Sequence, residues 1–372
     1  MGRPVLLFLF AIVILAGCKK RYYPPVSDDE SSILVVDGFI NNSADTTFIR
    51  LSHTNKLDSG IRNSKETGAR LILEDAAGNT LYNFQEMNDA GSYFVSGMNL
   101  NFTDKYRLHI ITSNGKEYLS DEMPVLKTPD IDSISFGREK NNFVVYANTH
   151  DSQNKTWYYR WEYTETWDYK ASFFSSLIAI DGIIFDRRPD QYVYECWKTQ
   201  QNTQLLLGNS TKLAQDIIYH FPLRPIDYNS VELSIRYFIS LRQYALTKDA
   251  YEYMENLKKI TEQTGSLFDP QPSEINGNIH AVNNPNKAVI GYLVACTPSA
   301  SQLYITNAQA QPWDYSPRCV MIELHTDEAA VTNEFTLLSK DGYPPKGIFA
   351  TTRSCGDCTV LGGTTIKPPF WQ

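Results

Sequence analysis

The sequence predicts a mainly β protein: an N-terminal immunoglobulin-like or transthyretin-like β-sandwich, followed by a larger β-rich domain with one prominent α-helix. Three observations predict it. Among 372 residues, 23 Tyr and 18 Phe accompany frequent Val, Ile and Thr, and branched and aromatic side chains suit a pleated, half-buried surface. Short apolar runs are punctuated by Gly, Asn, Asp and Pro at strand spacing. Only one stretch combines helical periodicity with signals for a start and a stop. The apolar share of 42% and charged share of 20% are those of a globular chain long enough for two domains. With 34 Lys+Arg against 42 Asp+Glu, the net charge of -8 argues against a nucleic-acid binder that works by neutralising phosphates.

Residues 1–18 read as a lipoprotein signal peptide. Arg3 supplies a positive start, residues 6–15 an apolar core, and Leu15-Ala16-Gly17-Cys18 a lipobox, where cleavage leaves an acylated Cys18 as the new N-terminus. The apolar run is too short for a permanent spanning helix, whereas several acyl chains on one residue anchor a protein stably. Residues 19–31 carry basic, Pro-Pro and acidic patches without apolar periodicity and read as a flexible tether.

Residues 32–125 are assigned to the first sandwich. Runs at 33–40 and 46–54 bracket Asn41-Asn42-Ser43, and 69–75 pairs with 80–86 across Ala77-Gly78-Asn79. Tyr106, Leu108 and Ile110 alternate with Arg107 and His109 before Asn114-Gly115 turns the chain back into 117–120. Pro124 and Pro129 mark the link to the second domain, residues 126–372.

In that second domain, 131–136, 142–148 and 156–166 are strand candidates. Trp157, Tyr159, Trp161 and Tyr163 share one face at period two, which reads as core rather than as a stacking platform for sugar or peptide. Residues 171–186 (ASFFSSLIAIDGIIFD) read as a strand pair turning at Asp181-Gly182 and buried in the core; projecting instead, so apolar a segment would mark a partner surface. The helix spans about 248–264: Thr247 caps it, Ala250, Tyr251, Met254, Leu257 and Thr261 share a side, Glu255 and Lys259 pair outside, and Gly265 stops it.

The chain lacks the metalloprotease, nucleophile-elbow, phosphate-loop, dinucleotide and EF-hand motifs. Ser152-Gln153-Asn154-Lys155 matches the spacing of a Ser-Lys nucleophile motif, but sits in a polar loop before a strand, whereas the catalytic version opens a helix. His53, His109, His150, His220, His280 and His325 are scattered singly. No catalytic residue, metal ligand or cofactor is expected.

Cysteine says more. With Cys18 taken by lipid, five remain for an oxidising compartment. Cys296 follows an apolar run and is expected to stay free, which leaves Cys196, Cys319, Cys355 and Cys358 for two disulfides. Either Cys355 bonds Cys358 and Cys196 bonds Cys319, or each tail cysteine reaches one of the earlier pair. A redox role for Cys355-Gly356-Asp357-Cys358 is disfavoured because Gly362-Gly363 and Pro368-Pro369 follow, not a helix.

The segments Tyr194-Glu195-Cys196-Trp197-Lys198, Gly265-Ser266-Leu267-Phe268-Asp269-Pro270, Ile275-Asn276-Gly277-Asn278-Ile279 and Gly291-Tyr292-Leu293, with the tail from Cys355 to Trp371, resemble the Bacteroidota lipoprotein family called domain of unknown function 4249. The resemblance implies an outer-membrane lipoprotein, lipid-anchored on the periplasmic or the cell-surface face, often encoded beside a TonB-dependent receptor. It implies no catalytic residues. The glycines of these segments suit positive φ or close backbone approach, and Phe268 and Trp371 are expected to plug a loop folded over the sheet.

The expected function is therefore a noncatalytic accessory or ligand-capture subunit beside a TonB-dependent outer-membrane receptor, held to the membrane through its N-terminal lipid, with a ligand of unassigned class. The alternatives are a structural or adhesive envelope lipoprotein and a hydrolase with an unrecognised site. The longest unassigned loops, 171–188 and 265–286, direct attention to Trp167, Tyr169, Phe173 and Phe174 as contacts for a ligand or partner.

Overall fold

The computed structural model describes residues 32–54, 64–88, 91–262, 277–285, 287–340 and 347–371. The signal peptide with Cys18, the 19–31 tether and the segment carrying Gly265 and Phe268 lie outside the described residues.

Period-two burial builds the first sandwich. In Thr46–His53, Thr47, Ile49 and Leu51 point inward while Phe48 and Arg50 point out. One sheet runs Val289–Ile290, Leu34–Gly38, Thr46–His53, Ser92–Ser96, Gln85–Glu86, with Ser64–Lys65 also on Thr46–His53. The facing sheet runs Ile40–Asn41, Ala295–Thr297, Met123–Lys127, Lys105–Ile111, Glu117–Ser120, Ile279–Ala281, and Arg70–Asp75 and Thr80–Asn83 extend it from Lys105–Ile111. Leu34, Ile49, Leu71, Leu108 and Tyr118 meet in the core between them.

The expected boundary at 125/126 needs correction, because the first sandwich is completed by chain from far beyond it. Val289–Ile290 pairs parallel with Leu34–Gly38, and Ala295–Thr297 inserts parallel to both Ile40–Asn41 and Met123–Lys127. Parallel neighbours need a long crossover, and here most of a second sandwich lies within it. The returning chain presses close. A Cβ on Gly291 (φ +149°) would stand 2.3 Å from the Val36 carbonyl oxygen, and one on Gly277 would stand 1.8 Å from the Gly291 carbonyl oxygen. Two glycines of the family-like segments are thus explained by close approach.

The second sandwich packs Ile131–Glu139, Asn142–His150 and Ile217–Asp227 against Glu195–Gln201, Tyr158–Lys170, Arg236–Leu246 and Ser299–Thr306, with Leu206–Asn209 beside Tyr158–Lys170. All its pairings are antiparallel. Most of the aromatic stripe is core, as predicted: Tyr159 and Trp161 are fully buried, Trp161 stacks on Phe221 at 4.2 Å, and Tyr163 packs against them, whereas Trp157 precedes the strand and is half-buried outside that cluster. The predicted helix forms over Lys248–Glu262, with the Thr247 hydroxyl accepting from the Ala250 amide at 3.2 Å and Lys259 paired to Glu255 at 3.0 Å.

A small third layer joins Met321–Leu324, Ile348–Thr352 and Phe335–Lys340 to the hairpin Leu177–Ile180/Ile183–Asp186. The hairpin turns at Asp181-Gly182, both at positive φ. Leu177, with Ala179 and Ile184, packs on Leu337, Ile348 and Ala350, whereas Ile180, Ile183 and Phe185 are exposed on the other face. Disulfides join Cys196 to Cys358 and Cys319 to Cys355, and Cys296 is free and buried. Each tail cysteine thus reaches one of the earlier pair. Beyond them Trp371 is buried against Phe238 and under Arg236, the plug expected of it. Among the described residues no helix is long and apolar enough to cross a membrane.

Candidate functional site

The junction of the two sandwiches is a built interface. Among the described residues the chain crosses it between Lys127 and Ile131 and again between Thr297 and Ser299. Thr128, on the link between the sandwiches, accepts a hydrogen bond from the Ala245 amide of the second sandwich at 3.0 Å. Phe39 of the first sandwich stacks on Tyr244 of the second at 4.6 Å, and the Arg160 guanidinium lies over the same Phe39 ring at 4.7 Å. Arg160 also bonds Glu162, whose other oxygen accepts from Tyr244 Oη at 3.0 Å. Burial raises the Tyr244 hydroxyl's pKa, with the Glu162 charge adding to it, so Tyr244 stays a donor. Burial likewise pushes the neighbouring Cys296 thiol up to about 12.

Above this stack opens a cleft of about 720 Å³. Strand alternation supplies both walls. The exposed positions of Thr46–His53 give Thr46, Phe48 and Arg50 on one side, with Asp37 directly across from Arg50. On the other, the even-numbered positions of Tyr158–Lys170 and Arg236–Leu246 face away from the core, and the register aligns Arg160 with Tyr244, Glu162 with Arg242 and Thr164 with Ser240. Gln201, Asn202 and Thr203 close one end, and Asn202 is fixed by accepting from the Tyr163 amide at 2.7 Å. The charges balance locally: Arg50 faces Asp37 and Arg242 faces Asp45, each at 4.0 Å, while Arg160 holds Glu162. Phe48 stands 47% exposed in the wall, and Asn41, 7% exposed at its base, has an Oδ1 without a protein partner.

A second hollow, of about 670 Å³, contains Asp130, Asp132, His150, Asp151 and Lys155. Two of its acids, Asp132 and Asp151, are engaged locally. His150 Nδ1 lies 2.8 Å from Asp132 Oδ2, and Asp151 accepts from the backbone amides of Gln153, Lys155 and Thr156 at 2.9 Å each. Ser152 and Lys155 therefore belong to an Asp-capped turn. Other histidines also pair with carboxylates: His53 with Glu66 at 2.7 Å, His109 with Glu74 at 2.9 Å and His280 with Asp121 at 3.2 Å. Among the described residues no group of three or more His, Cys, Asp or Glu is placed to hold a metal.

Two of the predicted contact residues are corrected. Trp167 and Tyr169 are 2% and 1% exposed, because odd-numbered positions of their strand face the core. Tyr169 Oη donates instead to the Cys358 carbonyl at 2.8 Å. Phe173 is half-buried, its amide bonded to the Cys355 carbonyl at 2.9 Å, and Phe174 is exposed, edge-on to Tyr192 and Tyr194. The loop 171–188 is largely the hairpin of the third layer, and most of 265–286 lies outside the described residues. The junction itself was missed. Its signal was an outward Phe48 in an otherwise alternating strand and the polar positions Arg160 and Glu162 between the rings of the aromatic stripe.

A family model described as "Domain of unknown function (DUF4249)" matches residues 19–302. No curated protein matches the chain. Among solved structures, a two-domain fibronectin type III segment from chicken tenascin matches at 12% identity and a TM-score of 0.18, over 58% of this chain and 92% of that one.

Proposed function

The chain belongs to the family described as domain of unknown function (DUF4249), and on that premise we propose that it is a noncatalytic, lipid-anchored ligand-capture subunit working beside a TonB-dependent receptor of the outer membrane. The observation that carries the capture reading is the cleft between the sandwiches, about 720 Å³ in volume and floored by the Phe39–Tyr244–Arg160 stack. Pockets of this size that lie between domains and are held in shape before binding are common places for small ligands. Two chain crossings among the described residues, together with the Phe39–Tyr244 stack, keep the walls of this one together. Anchoring draws on the lipobox ending at Cys18, and the 19–31 tether, at about 3.3 Å per residue, lets the body stand roughly 40 Å from the lipid. The receptor is proposed from the family resemblance alone.

Affinity purification from the native envelope under mild detergent is expected to recover a large barrel receptor. Loss of the lipoprotein is expected to impair growth on one scarce nutrient. Changing Cys18 to Ala should move the protein from the membrane pellet to the soluble fraction. Recovering no receptor, together with unaltered uptake in the deletion strain, replaces this reading with a structural or adhesive envelope role.

A further inference from the structure

We propose that the ligand of the junction cleft is a neutral oligosaccharide, an inference that rests on the capture reading above and names its ligand class. The first ground is electrostatic. Each arginine on the walls faces a carboxylate, Arg50 with Asp37, Arg242 with Asp45 and Arg160 with Glu162. Among the described residues the cleft therefore carries no uncompensated positive charge to select a phosphate or a carboxylate, which single-sign fields attract. The same pairs leave donors and acceptors side by side, and a sugar hydroxyl both donates and accepts.

The second ground is the kind of polar group between the charges. Thr46, Thr164, Ser240, Gln201 and Thr203 line the cleft with hydroxyls and an amide, and such groups bond a polyol without a charge on either side.

The third ground is Phe48. A strand whose alternate residues are Thr47, Ile49 and Leu51 sets Phe48 outward into the cleft wall. Its ring offers a flat apolar face of the kind that the C–H face of a pyranose covers. A peptide is less well matched: its larger apolar side chains need apolar pockets, and these walls alternate charge with hydroxyl.

Isothermal titration of the lipid-free protein, residues 19–372, tests this with neutral di- to tetrasaccharides of glucose, mannose, galactose and N-acetylglucosamine. A galacturonate trimer and tetraglycine serve as acidic and peptide probes. At least one neutral saccharide is expected to bind, with affinity little changed between about 0.05 and 0.5 M salt. Phe48→Ala is expected to weaken it about ten-fold or more, and Ser240→Trp, which fills the cleft from the opposite wall, to abolish it, both with unchanged melting temperature. Tighter binding of the galacturonate or the peptide, no binding of any neutral saccharide, or saccharide binding indifferent to both substitutions overturns the proposal. Saccharide binding without receptor recovery leaves this inference standing and removes the receptor reading; receptor recovery without saccharide binding does the reverse.

Discussion

Cys196 and Cys358, 162 residues apart in the chain, form a disulfide with their Cα atoms 5.8 Å apart, and Tyr169, opposite Cys196 in the sheet, donates to the Cys358 carbonyl at 2.8 Å. The disulfide fastens the tail to the strand Glu195–Gln201, and the Tyr169 hydrogen bond fastens it to the adjoining end of Tyr158–Lys170. Gly363 completes the fit, since a Cβ there would lie 2.3 Å from Tyr169 Oη. Closing so long a loop contributes about 5 kcal/mol on the loop-entropy model, and native disulfides in practice contribute roughly 2–5. The double change Cys196→Ser/Cys358→Ser is expected to destabilise within that range in chemical denaturation. Non-reducing peptide mapping should recover peptides linked 196–358 and 319–355; a 355–358 linkage would falsify this arrangement.

Cys296 is fully buried between Asn41 and Leu126 on neighbouring strands, with its thiol pushed up to about 12 by burial. Attack on a thiol reagent needs thiolate and access, and both are withheld. Unreduced protein lacking Cys18 should therefore show no titratable thiol when native and one when unfolded. Rapid native labelling of Cys296 would mean that the sandwich junction opens readily, since Cys296 sits behind the Phe39–Tyr244 contact.

The hairpin Leu177–Ile180/Ile183–Asp186 divides its apolar residues between two faces. Leu177 belongs to the buried cluster of the third layer, so Leu177→Ala should cost about 2–5 kcal/mol. Ile183 is exposed at the turn, and Ile183→Ser should change stability by no more than about 0.5 kcal/mol. Urea unfolding of the two variants checks the difference. Equal losses would place both faces in the core.

Local signals made most of the fold legible. Thr247, Ala250 and Glu255 with Lys259 marked the helix, and Asn114-Gly115 marked a hairpin, because caps, ion pairs and tight turns act within a few residues. The return of Val289–Ile290 and Ala295–Thr297 to the first sandwich was not legible. Parallel pairing across more than 160 residues leaves no periodic trace, and these strands are only 2 and 3 residues long. The candidate site was hidden for the same reason: Phe48 and Ser240 lie on strands of different sandwiches, and only their docking makes a cleft. Trp167 and Tyr169 misled because ring content suggests contact, while strand parity decides which way a ring points. The disulfide partners stayed open until the fold brought Cys319 beside Cys355.

Asp216 offers a test of buried electrostatics in the second sandwich. It is nearly inaccessible, with Tyr159 Oη and Ser210 Oγ both donating to its carboxylate and its own amide donating to Asn154 Oδ1 at 2.7 Å. Burial raises its pKa above the usual aspartate value; the Ser210 and Tyr159 hydrogen bonds pull it back, the Asp151 charge adds to the rise and His150 opposes it. A raised folded-state pKa means that the native protein binds this proton more tightly than the unfolded chain does. The contribution of Asp216 is therefore fully present below the unfolded value of about 3.9 and is lost as pH rises through the folded value. Asp216→Asn keeps the shape and cannot titrate. Loss or rearrangement of its two hydroxyl bonds shifts stability by an amount independent of pH, so the slope is the readout. From thermal unfolding between about pH 4 and 8, the stability of the variant relative to the parent is expected to rise with pH and then level off. A flat difference would show that the carboxyl titrates alike in both states, and a falling one that its hydrogen bonds outweigh its burial.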